Sequence, residues 1–204
     1  MPRPLCTRCQ RPLAHCLCPL IPSLPSRASV LILQHPSEAG HALNTARLAA
    51  LGLQRAELWV GECFEELAGV LDAHGTGARL LFPGEGARIL MEPWPQTEQT
   101  SLLVVPDGTW RKARKLLYLN PRLAELPRVA LPQGLQSRYR VRKAPVEGAL
   151  STIEAIVHAL SVLDAPLRFD ALLQPFDALI EGQIQAMGRD TYERNHALRD
   201  ESSA

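Results

Sequence analysis

Short apolar runs alternate with amphipathic stretches along this chain, and the sharpest boundary follows Leu102-Leu103-Val104-Val105. That run leads into Pro106-Asp107-Gly108-Thr109-Trp110 and then into the basic segment Arg111 to Tyr118. The pattern predicts a buried strand, a tight turn and a helix start. Four further strands are expected at Ser29–Gln34, Glu57–Val60, Arg79–Phe82 and Arg128–Leu131, the last ending in Pro132-Gln133-Gly134. Helices are expected over 41–51, with Asn44, Arg47 and Leu48 along one side, and over 63–73. Another is expected from Ser151 to about Leu163, where Ser151 and Glu154 have the spacing of a capping box. From Leu167 onward Leu172, Leu173, Phe176, Leu179, Ile180 and Ile184 keep helical spacing, with an interruption expected at Pro175. From Gly188 the chain turns polar and reads as a frayed, disordered tail. Alternating strands and helices predict an α/β fold with a mostly parallel sheet flanked by helices.

Composition bounds this picture. A length of 204 residues supports one good core and a small appendage. There is no run of about 18 apolar residues to span a membrane, and residues 1–25 lack a signal peptide's apolar segment. The five cysteines then point to a reducing cytoplasm, and to metal ligation by the four that cluster. Cys6-Thr7-Arg8-Cys9 and Cys16-Leu17-Cys18 supply four thiolates suited to a closed tetrahedral zinc site, although His15 could replace one cysteine. Four sulfurs leave no open position, so the zinc is expected to be structural. Cys63 reads as a small apolar residue. Three regions follow: a cysteine-rich module and linker at 1–25, a catalytic domain at 26–190 and a polar tail at 191–204.

Charge changes the picture more. The net charge is only +1, yet residues 111–143 hold ten Lys/Arg and the single acid Glu125. So concentrated a basic third is the footprint of a polyanion binder, nucleic acid first. Arg138, Arg140 and Arg142 alternate and would share one face of an extended segment. Gly84-Glu85-Gly86 lacks the third glycine of a dinucleotide fingerprint, and no phosphate-binding P-loop is present. In parallel α/β sheets ligands bind beyond the carboxyl ends of the strands. Asp107, Thr109 and Trp110 are therefore expected to converge there. The structural alternative is an N-cap turn in which Asp107 or Thr109 satisfies free N–H groups and Trp110 closes the core.

Taken together, Asp107-Gly108-Thr109-Trp110, the N-terminal cysteines, and Ser137 to Lys143 followed by Leu150-Ser151-Thr152-Ile153-Glu154-Ala155 resemble the DTW-domain family. The resemblance covers nearly the whole chain. It implies a SPOUT-like fold, with its C-terminal knotted cofactor region, and tRNA-uridine aminocarboxypropyltransferase activity with S-adenosylmethionine as donor. The 3-amino-3-carboxypropyl group would move to N3 of a tRNA uridine, in the variable loop for bacterial members, leaving methylthioadenosine. Asp107 would act as general base or as positioning acceptor for N3–H, close to Thr109, and Trp110 would stack on the base or wall the donor. The donor's carboxylate would meet Arg138 or the helix start at Ser151 and Thr152, and its adenine the backbone at Leu131 and Gln133. Arg111, Lys112, Arg114, Lys115, Arg140, Arg142 and Lys143 would hold tRNA phosphates, contacts that position without reading sequence. Two alternatives are an S-adenosylmethionine-dependent RNA methyltransferase and a non-catalytic zinc-bearing RNA-binding protein.

Overall fold

Among the described residues six strands form one sheet in which every pairing is parallel. The computed structural model describes residues 4–93, 101–141 and 149–196. The strands are β1 (Ser29–Gln34), β2 (Ala56–Val60), β3 (Ala78–Leu81), β4 (Arg88–Ile89), β5 (Leu102–Asp107) and β6 (Arg128–Ala130), in spatial order β2-β1-β5-β3-β6-β4. The helices are α1 (Pro36–Ala39), α2 (Ala46–Gly52), α3 (Leu67–His74), α4 (Trp110–Leu119), α5 (Pro121–Ala124), α6 (Thr152–Leu163), α7 (Gln174–Met187) and α8 (Arg189–His196).

Alternate residues of each strand face opposite sides. Val30, Ile32, Leu103 and Val105 pack with α2, α6 and α7, whereas Leu31, Leu33, Leu80 and Val104 pack with α3 and α4. Both faces are covered, which is why the central strands are continuous apolar runs rather than alternating ones. Cys9, Leu17 and Ile21 belong to the first of these clusters, and the guanidinium of Arg11 donates to the Ala42 carbonyl at 2.7 Å. The cysteine segment is thus seated on the main core. Among the described residues no helix is long and apolar enough to cross a membrane.

The differences from expectation have local causes. β5 runs on through Pro106 and Asp107, although proline is rare in central strands. The carbonyl of Asp107 binds the His35 N–H toward β1, so Pro106 is turned toward β3, whose pairing with β5 stops at Val104. No ladder hydrogen bond is lost. The helix expected over 41–51 begins only at Ala46, because Asn44 donates to the carbonyls of Glu38 and Ala39 and so stabilises a turn there. Pro175 does not interrupt a helix. It sits in the first turn of α7, where its missing N–H costs nothing. The chain from Gly188 is not wholly frayed: α8 forms, with Tyr192 packed against the core, and residues 197–204 lie outside the described residues. Strand β4 is too short to leave a periodic signal.

Candidate functional site

Gln34 and Asp107 are the last residues of β1 and β5 and are paired in register. Both follow the alternation of their strands onto the α2/α6 side of the sheet, at the carboxyl ends where parallel sheets bind ligands. Gln34 is fully buried and Asp107 is 9% exposed. Gln34 Nε2 donates to Asp107 Oδ2 at 2.7 Å, and the Thr152 hydroxyl at the start of α6 donates to Oδ1. Gln34 also exchanges a reciprocal pair of 3.2 Å amide hydrogen bonds with Asn44.

The direction of this network is forced from one end. Asn44 Nδ2 faces the carbonyls of Glu38 and Ala39, while its Oδ1 accepts the Arg47 N–H at 3.2 Å. Neither backbone group can reverse its role, so the Asn44 amide has one orientation. Its carbonyl must meet the Gln34 N–H and its N–H the Gln34 carbonyl. The second Gln34 N–H then points at Asp107, which must accept. A turn, two amides and a helix start thus aim one carboxylate.

The side chains of Asp107, Thr109 and Trp110, expected to converge, do not form one cluster. Thr109 caps α4 through the Lys112 N–H at 3.4 Å, and Trp110, 40% exposed, meets Phe82 edge-on at 5.6 Å on the α4 side. Trp110 keeps an exposed indole beside the turn, while Asp107 is held on the other side of the sheet. Gly108 between them has a conformational role. Its φ is +154°, and an added Cβ would lie 3.0 Å from the Lys112 Cβ and 3.6 Å from the His35 Cβ. Gly108→Ala is expected to lower stability by about 1–3 kcal/mol. Thermal melting checks this, and an unchanged melting temperature would show that the turn tolerates a side chain.

Ser151 caps α6 in the expected capping box, but its hydroxyl donates to Glu154 Oε2 at 2.6 Å. The buried Glu154 carboxylate also accepts from the Ser137 hydroxyl and, at 2.6 Å, from the Arg138 N–H. It therefore ties the 137–138 loop to the helix start. Leu131 is partly buried against the core and Gln133 is exposed, both following β6.

Several of the basic residues are neutralised by acids distant in sequence. Lys112 pairs with Glu38 at 2.6 Å, Lys115 with Glu62 at 2.7 Å, Arg138 with Asp177 at 2.9 Å and Arg140 with Glu181 at 3.2 Å. Lys115, with His35, holds the Glu62 carboxyl below its usual range. Arg111 and Arg114 are exposed, with no ion pair among the described residues, while Arg142 and Lys143 lie outside those residues. An open depression lined by Leu71, Asp72, Thr76, Arg79 and Arg122 adjoins the start of β3, at the opposite end of the sheet from Asp107.

The sulfurs of Cys6, Cys9, Cys16 and Cys18 all lie within 4.8 Å of one another. Cys6 to Cys18 is 3.6 Å and Cys9 to Cys16 is 3.8 Å. Zinc–sulfur bonds of about 2.3 Å give a tetrahedron with edges of roughly 3.8 Å, so the cluster has the size of a zinc site. Backbone N–H groups of Cys9 and Arg8 lower the Cys6 thiol to about 6, whereas burial and the neighbouring sulfurs push Cys18 up to about 12. A divalent cation would let all four be thiolates together.

Fold and site together define a parallel α/β domain with an oriented acid at its central strand ends and a four-cysteine module of zinc-site dimensions packed on its core. The model of the DTW domain matches residues 3–184, and the chain belongs to that family. It is similar to proteins named tRNA-uridine aminocarboxypropyltransferase 2. The Mus musculus protein is 35% identical over 97% of this chain and 70% of its own length. The Macaca fascicularis protein is 32% identical over the same shares, and the Drosophila melanogaster protein 33% identical over 88% of this chain and 74% of its own. No solved structure matches this chain significantly.

Proposed function

We propose that this protein transfers the 3-amino-3-carboxypropyl group of S-adenosylmethionine to N3 of a tRNA uridine, giving methylthioadenosine as the second product. The observation that carries the reading is Asp107. The acid of the family motif is aimed by two donors at the carboxyl ends of the central strands, in a chain similar to named aminocarboxypropyltransferases along almost its whole length. The donor sulfonium supplies electrophilic carbons, and the protein must choose which one faces the nucleophile, a problem of orientation. Transfer joins N3 to the propyl carbon as its bond to sulfur breaks. The sulfur keeps the electron pair, and the N3 proton is released.

Asp107 serves that release. Gln34 and Thr152 each donate to one of its oxygens, which fixes the orientation of the carboxylate toward an incoming N3–H. Trp110 offers the base or the donor an exposed ring face beside the turn. Arg111 and Arg114 are the open phosphate contacts on α4, joined in this reading by Lys112, Lys115, Arg140, Arg142 and Lys143. Leu131 and Gln133 border the adenine in this reading. The four cysteines hold a structural zinc, and the modified uridine lies in the tRNA variable loop.

Donor labelled separately in its methyl or carboxyl carbon tests the reaction. Only the carboxyl label is expected in tRNA. Methyl label in tRNA would make the protein a methyltransferase, and tight, salt-sensitive tRNA binding without either label would make it a binding protein.

A further inference from the structure

Arg47 stands apart from the other arginines. Its Nε is shut off from solvent and makes no hydrogen bond, whereas every other buried side-chain nitrogen or oxygen among the described residues has a partner. Several other guanidinium groups meet acids, as in Arg122 with Asp72 and Arg138 with Asp177, or carbonyls, as in Arg11 with Ala42. Arg111 and Arg114, with no ion pair among the described residues, are exposed to water. A partly buried guanidinium without a counter-charge is costly unless something pairs with it.

Its place in the fold bears on what that partner is. Arg47 lies in the first turn of α2, and its own N–H is bound by Asn44 Oδ1, the group that begins the network leading to Asp107. Glu38, whose carbonyl accepts from Asn44, is engaged by Lys112, and Glu62 by His35 and Lys115. We propose that the Arg47 guanidinium binds an oxyanion brought by substrate, and that this oxyanion is the carboxylate of the donor's aminocarboxypropyl group. The inference rests on the proposed transfer reaction and deepens it. Of the groups expected from sequence to take that carboxylate, Arg138 pairs with Asp177 and the Ser151 hydroxyl with Glu154. Each would exchange a partner for it, whereas the Arg47 Nε has none to give up. A planar fork suits a carboxylate and would fix the propyl chain, so that its carbon and not the methyl faces N3. A tRNA phosphate offers the same oxyanion chemistry, and the test separates the two.

Calorimetry would compare S-adenosylmethionine with its decarboxylated analogue on wild type and on Arg47→Gln, with tRNA titrated in parallel. Wild type is expected to prefer the intact donor by about 10- to 100-fold, the usual worth of a charged hydrogen-bonded pair. Arg47→Gln is expected to narrow that gap to about twofold and to leave tRNA affinity unchanged. Arg47→Lys, which keeps the charge without the fork, is expected to fall between and serves if the glutamine variant does not fold. A gap that survives in the variant overturns the assignment, and a loss confined to tRNA gives Arg47 to a phosphate instead. If wild type binds neither donor form, the transfer reaction itself fails, a result distinct from both.

Discussion

Asp107→Asn is expected to slow transfer by about 10²–10⁴-fold, the usual contribution of a positioned proton acceptor, while the protein still folds and binds tRNA. The network explains why the fold survives. Gln34 can present only N–H toward position 107, because Asn44 is oriented by the carbonyls of Glu38 and Ala39 and by the Arg47 N–H. The asparagine must therefore turn its oxygen to Gln34 and its NH₂ to Thr152, whose hydroxyl can rotate to accept. Gln34 and Thr152 both keep a partner at position 107, so the stability cost stays within about 1–3 kcal/mol. What is lost is the second accepting oxygen and the negative charge. Single-turnover rates, a thermal melt and tRNA binding together check this, and a folded variant with full turnover would remove Asp107 from the mechanism.

Cys6→Ser is expected to act on stability instead. Freshly purified wild type should carry about one zinc per chain, as a closed four-sulfur site holds one ion, and the variant should lose most of it. Structural zinc contributes roughly 10–16 kcal/mol to isolated zinc-finger peptides. Here the segment also rests on the main core through Cys9, Leu17 and Ile21, so part of its order persists without metal. A net loss of about 4 kcal/mol would lower the melting temperature by roughly 10 °C in a domain of this size. Metal analysis with scanning calorimetry checks both halves. Wild type without zinc would overturn the metal assignment.

The sequence made the central strands legible because burial on both faces leaves unbroken apolar runs, as in Leu102 to Val105. It made the capping box of α6 legible because Ser151 and Glu154 are local partners. The aiming of Asp107 was not legible. Gln34 and Asn44 reach it through strand register and a turn of side-chain to backbone hydrogen bonds, neither of which has a sequence period. One signal was available: Gln34 is a polar residue closing an otherwise apolar strand. The pairing of the basic third was not legible either. The basic third looked unopposed along the chain, yet Glu38, Glu62, Asp177 and Glu181 come from distant segments to pair with it. Gly108 carries no sequence signal of its own, and only its φ and the closeness of Lys112 show what glycine permits there.

The most direct test of the central claim is nucleoside mass spectrometry of tRNA incubated with this protein and S-adenosylmethionine. The expected result is uridine carrying a 3-amino-3-carboxypropyl group at N3, with an equal amount of methylthioadenosine released. Methyluridine with S-adenosylhomocysteine, or bound tRNA left unmodified, would contradict it.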